Sequence, residues 1–128
     1  MKAQSLRQGN LVLLDNEKIV RLLWFRTEHA CIMALGVTYP SAIVSLDRLE
    51  PIPLTEDWLL KFGFRFDSID WEFPKDSIFF IGWYAGKFCL GSGSDGVTKE
   101  NYIEYVHQLQ NLYFALTNEE LEVKANQV

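Results

Sequence analysis

The chain has 128 residues, 48% of them hydrophobic, which suffices for one ordinary core or two very small ones and excludes a disordered polar chain. A formal net charge of -5 and a pI near 5.0 argue against a nucleic-acid partner, because phosphates are held by clustered Lys and Arg. No apolar run approaches the roughly 18 residues of a membrane span, and the opening MKAQSLRQGN lacks the apolar core of a signal peptide, so the expectation is a cytoplasmic protein without a membrane contact.

Residues 9–45 read as a string of short strands. Gly9 and Asn10 precede LVLL, the turn-forming pair Asp15 and Asn16 follows, and residues 19–25 return with the β-favouring Ile19, Val20, Trp24 and Phe25. A third run over residues 29–35 ends at Gly36, and the turn-prone VTYPS separates it from AIVSL. Four or five short strands joined by tight turns suit a small closed β-barrel of the SH3-like kind, which protects its edges better than an open sheet does. Cys31 and Cys89 each lie inside an apolar run and far from one another, which predicts two buried free thiols.

Pro51 and Pro53 remove two amide donors within three residues, so neither a helix nor a central strand runs through them. The spacing places a boundary here, with a barrel over residues 1–52 and an α+β unit over residues 53–128. The segment LTEDWLLKFGF then predicts a helix of about two turns. Thr55 is its N-cap, Glu56 and Asp57 place negative charge in its first turn, and Gly63 ends it in the left-handed conformation. Leu54 and Leu59 are spaced as a hydrophobic staple, and Phe64 can fold back on Leu59.

From Phe64 the pattern alternates again. Phe64, Phe66, Ile69, Trp71 and Phe73 interleave with Arg65, Asp67, Asp70 and Glu72, the period of half-buried strands. Residues 78–84 form the next strand, Ala85 and Gly86 turn the chain, and residues 87–90 return. The stretch GSGSDG over residues 91–96 is loop by composition. Residues 101–104 are expected as a last strand, with a helix capped by Thr98 as the alternative.

The longest helix signal is YVHQLQNLYFALT, residues 105–117. Val106, Leu109, Tyr113 and Leu116 recur at helical spacing with Leu112 beside them, and no Asp, Glu, Lys or Arg occurs from Tyr105 through Asn118. A helix facing water on one side normally carries charge there, so this one is expected to be covered on more than one side. The sequence Thr117, Asn118, Glu119, Glu120 matches a capping box and predicts one further helical turn carrying Leu121. The fold class expected is α+β: a small SH3-like β-barrel, then an antiparallel sheet with a short helix and a longer C-terminal helix.

The segments PIPLTEDWLLKFGF (residues 51–64) and YVHQLQNLYFALTNEEL (residues 105–121), with LRQGNLV (residues 6–12) upstream, resemble a family of small uncharacterised proteins from Bacteroides-type bacteria and their phages. Together they cover about a third of the chain. Asn118 departs from the pattern, which has Gly there; Asn also tolerates the left-handed conformation. The resemblance implies a cytosolic prokaryotic or phage setting and brings no catalytic residues with it.

Catalytic patterns are sparse. Cys31, with His29 or His107 as base, would make a thiol nucleophile, but a thiol in CIMAL is buried and its pKa is raised, not lowered. His29 and His107 are the only histidines, and neither CxxC nor HxxxH spacing occurs, which argues against zinc. Asp67, Asp70, Glu72 and Asp76 could gather as oxygen ligands, although a solvated strand face explains them as well. Gly91, Ser92 and Gly93 open no clear helix with a Lys-Ser or Lys-Thr pair, so a phosphate loop has little support, and no cofactor is expected.

The second face of the long helix is the candidate site. His107, Gln110, Asn111 and Phe114 share it, and amides and an imidazole make directed hydrogen bonds without the desolvation cost of a charge. They either satisfy loop backbone inside the fold or form a polar, uncharged contact surface for a partner protein or a second copy. Trp71, Trp83, Tyr84 and Tyr39 add to the case for contact surfaces, since aromatics are enriched there. The function expected is a non-catalytic protein-interaction module or accessory subunit; the other class is an enzyme or nucleic-acid-binding protein whose site is built from ordinary-looking residues.

Overall fold

A computed structural model describes residues 5–35, 42–66, 70–73, 76–84, 86–90 and 102–123. The fold is α+β, with two five-stranded antiparallel sheets. The chain divides into two compact units, Met1–Ile52 with Tyr105–Glu120, and Pro53–Glu104 with Leu121–Val128. The long helix, expected to complete the unit that follows the prolines, therefore belongs with the strands that precede them.

In the first unit, β1 (Leu11–Leu14), β2 (Lys18–Phe25), β3 (His29–Ala34), β4 (Ala42–Ser45) and β5 (Leu49–Glu50) pair in the order β4-β3-β2-β1-β5. This is an SH3-like half-barrel rather than a closed barrel: among the described residues, β4 and β5 are its two edges. Asp15 and Asn16 both take left-handed φ, 53° and 58°, and the Glu17 amide donates to the Leu14 carbonyl at 3.1 Å, which closes the β1–β2 hairpin. Val12, Val20, Leu22, Ala30, Ile32, Val44 and Leu49 gather into one buried core, as period-two alternation places them. The register of β2 on β3 shifts between Leu22 and Trp24, so Trp24 pairs with Cys31 and is left 41% exposed.

α2 (Val106–Thr117) packs against β1. Val106, Leu109 and Tyr113 are buried as their spacing predicts, and so are His107 and Gln110 on the second face, but Leu116 is 59% exposed. The helix covers its neighbours over its first two and a half turns and projects its last apolar residue outward. The expected extra turn after Thr117 is absent. Asn118 adopts the left-handed conformation at φ 59°, and its amide closes on the Phe114 carbonyl at 2.8 Å, which terminates the helix there. The Thr117 hydroxyl donates back to the Tyr113 carbonyl at 2.8 Å, and Glu119 and Glu120 lie beyond the helix.

In the second unit, α1 (Glu56–Lys61) has the two-turn length and the ends the sequence predicts. The Trp58 amide donates to the Thr55 hydroxyl oxygen at 3.3 Å. Gly63 has φ 94°, its amide reaches the Leu60 carbonyl at 2.9 Å, and the Phe64 amide reaches the Leu59 carbonyl at 3.0 Å, which together make a Schellman ending. Leu59, Phe62 and Phe64 are almost fully buried. The sheet comprises β6 (Arg65–Phe66), β7 (Trp71–Phe73), β8 (Asp76–Tyr84), β9 (Lys87–Leu90) and β10 (Tyr102–Ile103), in the order β10-β9-β8-β7-β6. The β10 strand is the one expected over residues 101–104; Thr98, the alternative cap, and the loop over residues 91–96 lie outside the described residues. Gly86, at φ 81°, makes the turn between β8 and β9.

Candidate functional site

The uncharged face of α2 is engaged by the chain's own residues 5–11. Gln110, 1% exposed, accepts the Leu11 amide at 2.8 Å and donates to the Gly9 carbonyl at 3.3 Å. Asn111 accepts from Asn10 Nδ2 at 2.7 Å and from Arg7 Nε at 3.1 Å, and donates to the Ser5 carbonyl at 3.4 Å. Together the two side chains accept from the buried Leu11 amide and donate to the Gly9 carbonyl, which also accepts from Arg21 Nη1 at 3.3 Å, and to the carbonyl of the exposed Ser5. Gly9 is part of the same design, since at φ 94° it turns the segment into β1, and a Cβ there would meet a Glu120 carboxylate oxygen at 3.3 Å.

Arg7 holds the outer edge of this arrangement. Its guanidinium forks onto Glu120, with Nη2 at 3.0 Å from Oε2, and lies 4.3 Å from the centroid of the Phe114 ring. Phe114 is therefore the platform beneath an intramolecular ion pair. His107 is 3% exposed, stacks on Tyr105 with ring centroids 6.0 Å apart, and its Nδ1 has no hydrogen-bond partner among the described residues. Burial pushes the imidazole below its ordinary pKa of 6.5, so it is neutral at pH 7. Of the two roles open to this face, the loop-satisfying one accounts for the hydrogen bonds of Gln110 and Asn111 and for the cation over Phe114.

A different feature stands open in the second unit. A cleft of about 560 Å³ is lined by Leu54, Thr55, Glu56, Phe66, Trp71, Trp83 and Phe88. Strand register assembles its aromatic wall: Phe66 pairs with Trp71, Trp71 with Ile81, and Trp83 with Phe88, so that alternate residues of four strands share one sheet face. The Phe66 and Trp71 rings are 5.3 Å apart, and Trp83 meets Phe88 edge-on at 4.7 Å. Phe66 and Trp83 are 57% and 58% exposed. A smaller hollow of about 210 Å³ adjoins it, sharing Leu54, Trp83 and Phe88, so Trp83 is the ridge between the two.

The cleft opens where residues 54–56, at the start of α1, face the aromatic residues of the sheet. Sequence reasoning singled out Trp71 and Trp83 but not Leu54, Glu56, Phe66 or Phe88. The usable signal was the alternation of aromatics from Phe64 to Phe73, which places several rings on one sheet face.

The Thr55 hydroxyl is occupied as the N-cap, and Glu56 is the one ionised side chain among the described lining residues. Lys87 at the edge of the smaller hollow pairs with Glu104 at 3.4 Å, and Arg65 pairs with Glu72 at 3.2 Å. Cys89 is fully buried, and desolvation, reinforced by Asp70, pushes its thiol upward, away from reactivity. Cys31 is also buried and free, as expected. Among the described residues no three of His, Cys, Asp and Glu stand together as a metal site, and no helix is long and apolar enough to cross a membrane. Of the acidic group considered in the sequence, Asp67 lies outside the described residues. Comparison of the chain with protein-family models, with curated proteins and with solved structures gives no match.

Proposed function

We propose that the chain is a non-catalytic protein-interaction module or accessory subunit that engages its partner through the aromatic cleft of its second unit. The observation that carries this reading is the pair Phe66 and Trp83, more than half exposed on either side of a concave apolar space. Large aromatics in a pocket are the residue types that anchor protein interfaces, and a hollow of this volume admits a side chain with its flanking backbone. Ile43 and Leu116 are exposed too, but neither lines this cleft or the hollow beside it.

Trp83→Glu tests it, because a carboxylate on the ridge would have to be desolvated by any occupant. The tagged parent and the variant are purified from the cells that make the protein, and bound chains are quantified by mass spectrometry alongside the oligomeric state by light scattering. A chain, or a second copy, held by the parent and lost by the folded variant supports the cleft as the interface. Equal retention by both excludes it.

A further inference from the structure

Resting on that reading, we infer that the group the cleft receives is a basic side chain, lysine or arginine, of the partner protein. Phe66 and Trp83 leave more than half of their surface open beside Trp71 and Phe88, and among the described residues lining this hollow the only ionised group is the Glu56 carboxylate, which has no ion pair among the described residues. The described cations of the flanking strands are already paired, Lys87 with Glu104 and Arg65 with Glu72. An anionic occupant would find no free positive charge there, and a purely apolar one would bury Glu56 at a desolvation cost that nothing repays. A cation with an aliphatic stem resolves both: its methylenes cover the apolar wall, its charge meets the carboxylate, and the rings add cation–π attraction.

Elsewhere the same chain uses this pairing on itself. Lys61 stands 4.7 Å from the Trp58 centroid, Arg26 5.4 Å from that of Trp24, and Arg7 4.3 Å from that of Phe114. Trp71 and Trp83 have no such cation among the described residues, although Trp83 is the more exposed of the tryptophans there. The acidic balance of the whole chain, -5, favours the approach of a basic segment as well.

The test is a titration of the full chain, labelled with ¹⁵N, following the indole N–H signals of Trp71 and Trp83. The probes are the blocked tripeptide acetyl-Gly-Lys-Gly-amide and its norleucine counterpart, which has a similar aliphatic stem and no charge. The lysine peptide is expected to shift the Trp83 signal saturably and to bind about tenfold more tightly than the norleucine peptide. Glu56→Gln, a solvent-exposed change that leaves the Thr55 cap in place, should remove most of that preference by weakening lysine binding and, with the desolvation cost of the carboxylate gone, strengthening norleucine binding. Equal binding of the two peptides overturns the basic anchor and leaves the cleft as an apolar docking site. Binding of neither peptide also overturns it, and the purification experiment with Trp83→Glu then judges the interaction reading on its own. A lysine preference that survives Glu56→Gln removes the carboxylate from the account and with it the inference.

Discussion

The second face of α2 and the aromatic cleft of the other unit are opposites in how their chemistry is spent. The helix face is polar and uncharged, and its amides are consumed by residues 5–11, with 99 and 101 residues of chain between the partners of Gln110. The cleft is apolar with one carboxylate, and its two most prominent rings face outward. A run of hydrogen-bonding side chains therefore marks an internal seam in this molecule, and alternating aromatics on a sheet face mark the open surface. Both patterns look like interface in a sequence, but only the second leaves two large rings, Phe66 and Trp83, more than half exposed.

The largest effect that would break this contrast comes from Gln110→Leu. The change keeps the volume but leaves the buried Leu11 amide without its acceptor and the Gly9 carbonyl with Arg21 alone, which should cost about 2–3 kcal/mol in urea unfolding. A loss under about 0.5 kcal/mol would show that the seam is dispensable and return the face to candidacy as a docking surface. Next in size is Gly63→Val, which forces a β-branched residue to φ 94° at the end of α1 and should cost about 2 kcal/mol. An unchanged midpoint would mean that the helix ends differently in solution and that the cleft's border at residues 54–56 is not fixed by it.

His107 sharpens the comparison through pH. Its folded-state pKa lies below 6.5, so the unfolded chain takes up the proton first; the stability tied to the neutral imidazole is complete above pH 6.5 and is lost as the pH falls from there toward the lowered value. The thermal midpoint of the parent should fall more steeply below pH 6.5 than that of His107→Leu, with the two curves parallel above it. Identical slopes would place the imidazole in contact with water. The smallest effect is expected for Phe66→Ala in the cleft. A ring 57% exposed on an edge strand contributes about 0.5 kcal/mol or less to folding, so the unfolding midpoint should hardly move while partner capture weakens. A loss above about 2 kcal/mol would make Phe66 a core residue and close the cleft as a site.

Much of the local structure was legible in the residues themselves. Thr55, Glu56, Gly63 and Phe64 specify both ends of α1 because caps and left-handed glycines act within one turn, and the β1–β2 hairpin follows from Asp15 and Asn16 for the same reason. Local chemistry misled at Thr117: a capping-box pattern was present, but Asn118 in the left-handed conformation ended the helix, and Glu120 turned to Arg7 at the other end of the sequence. The apolar period of α2 was equally plain, yet which unit it joins was not, since one helix face fits either sheet until Gln110 and Asn111 find residues 5–11.

What the sequence by itself determined is therefore what neighbours along the chain decide: strand periods, turns, helix ends, the boundary at Pro51 and Pro53, and two cysteines in apolar runs. Only the tertiary structure decided which polar groups were already satisfied and which aromatics were left uncovered. Both depend on register across strands and on contacts between residues up to 113 positions apart, as between Arg7 and Glu120, which no local pattern encodes.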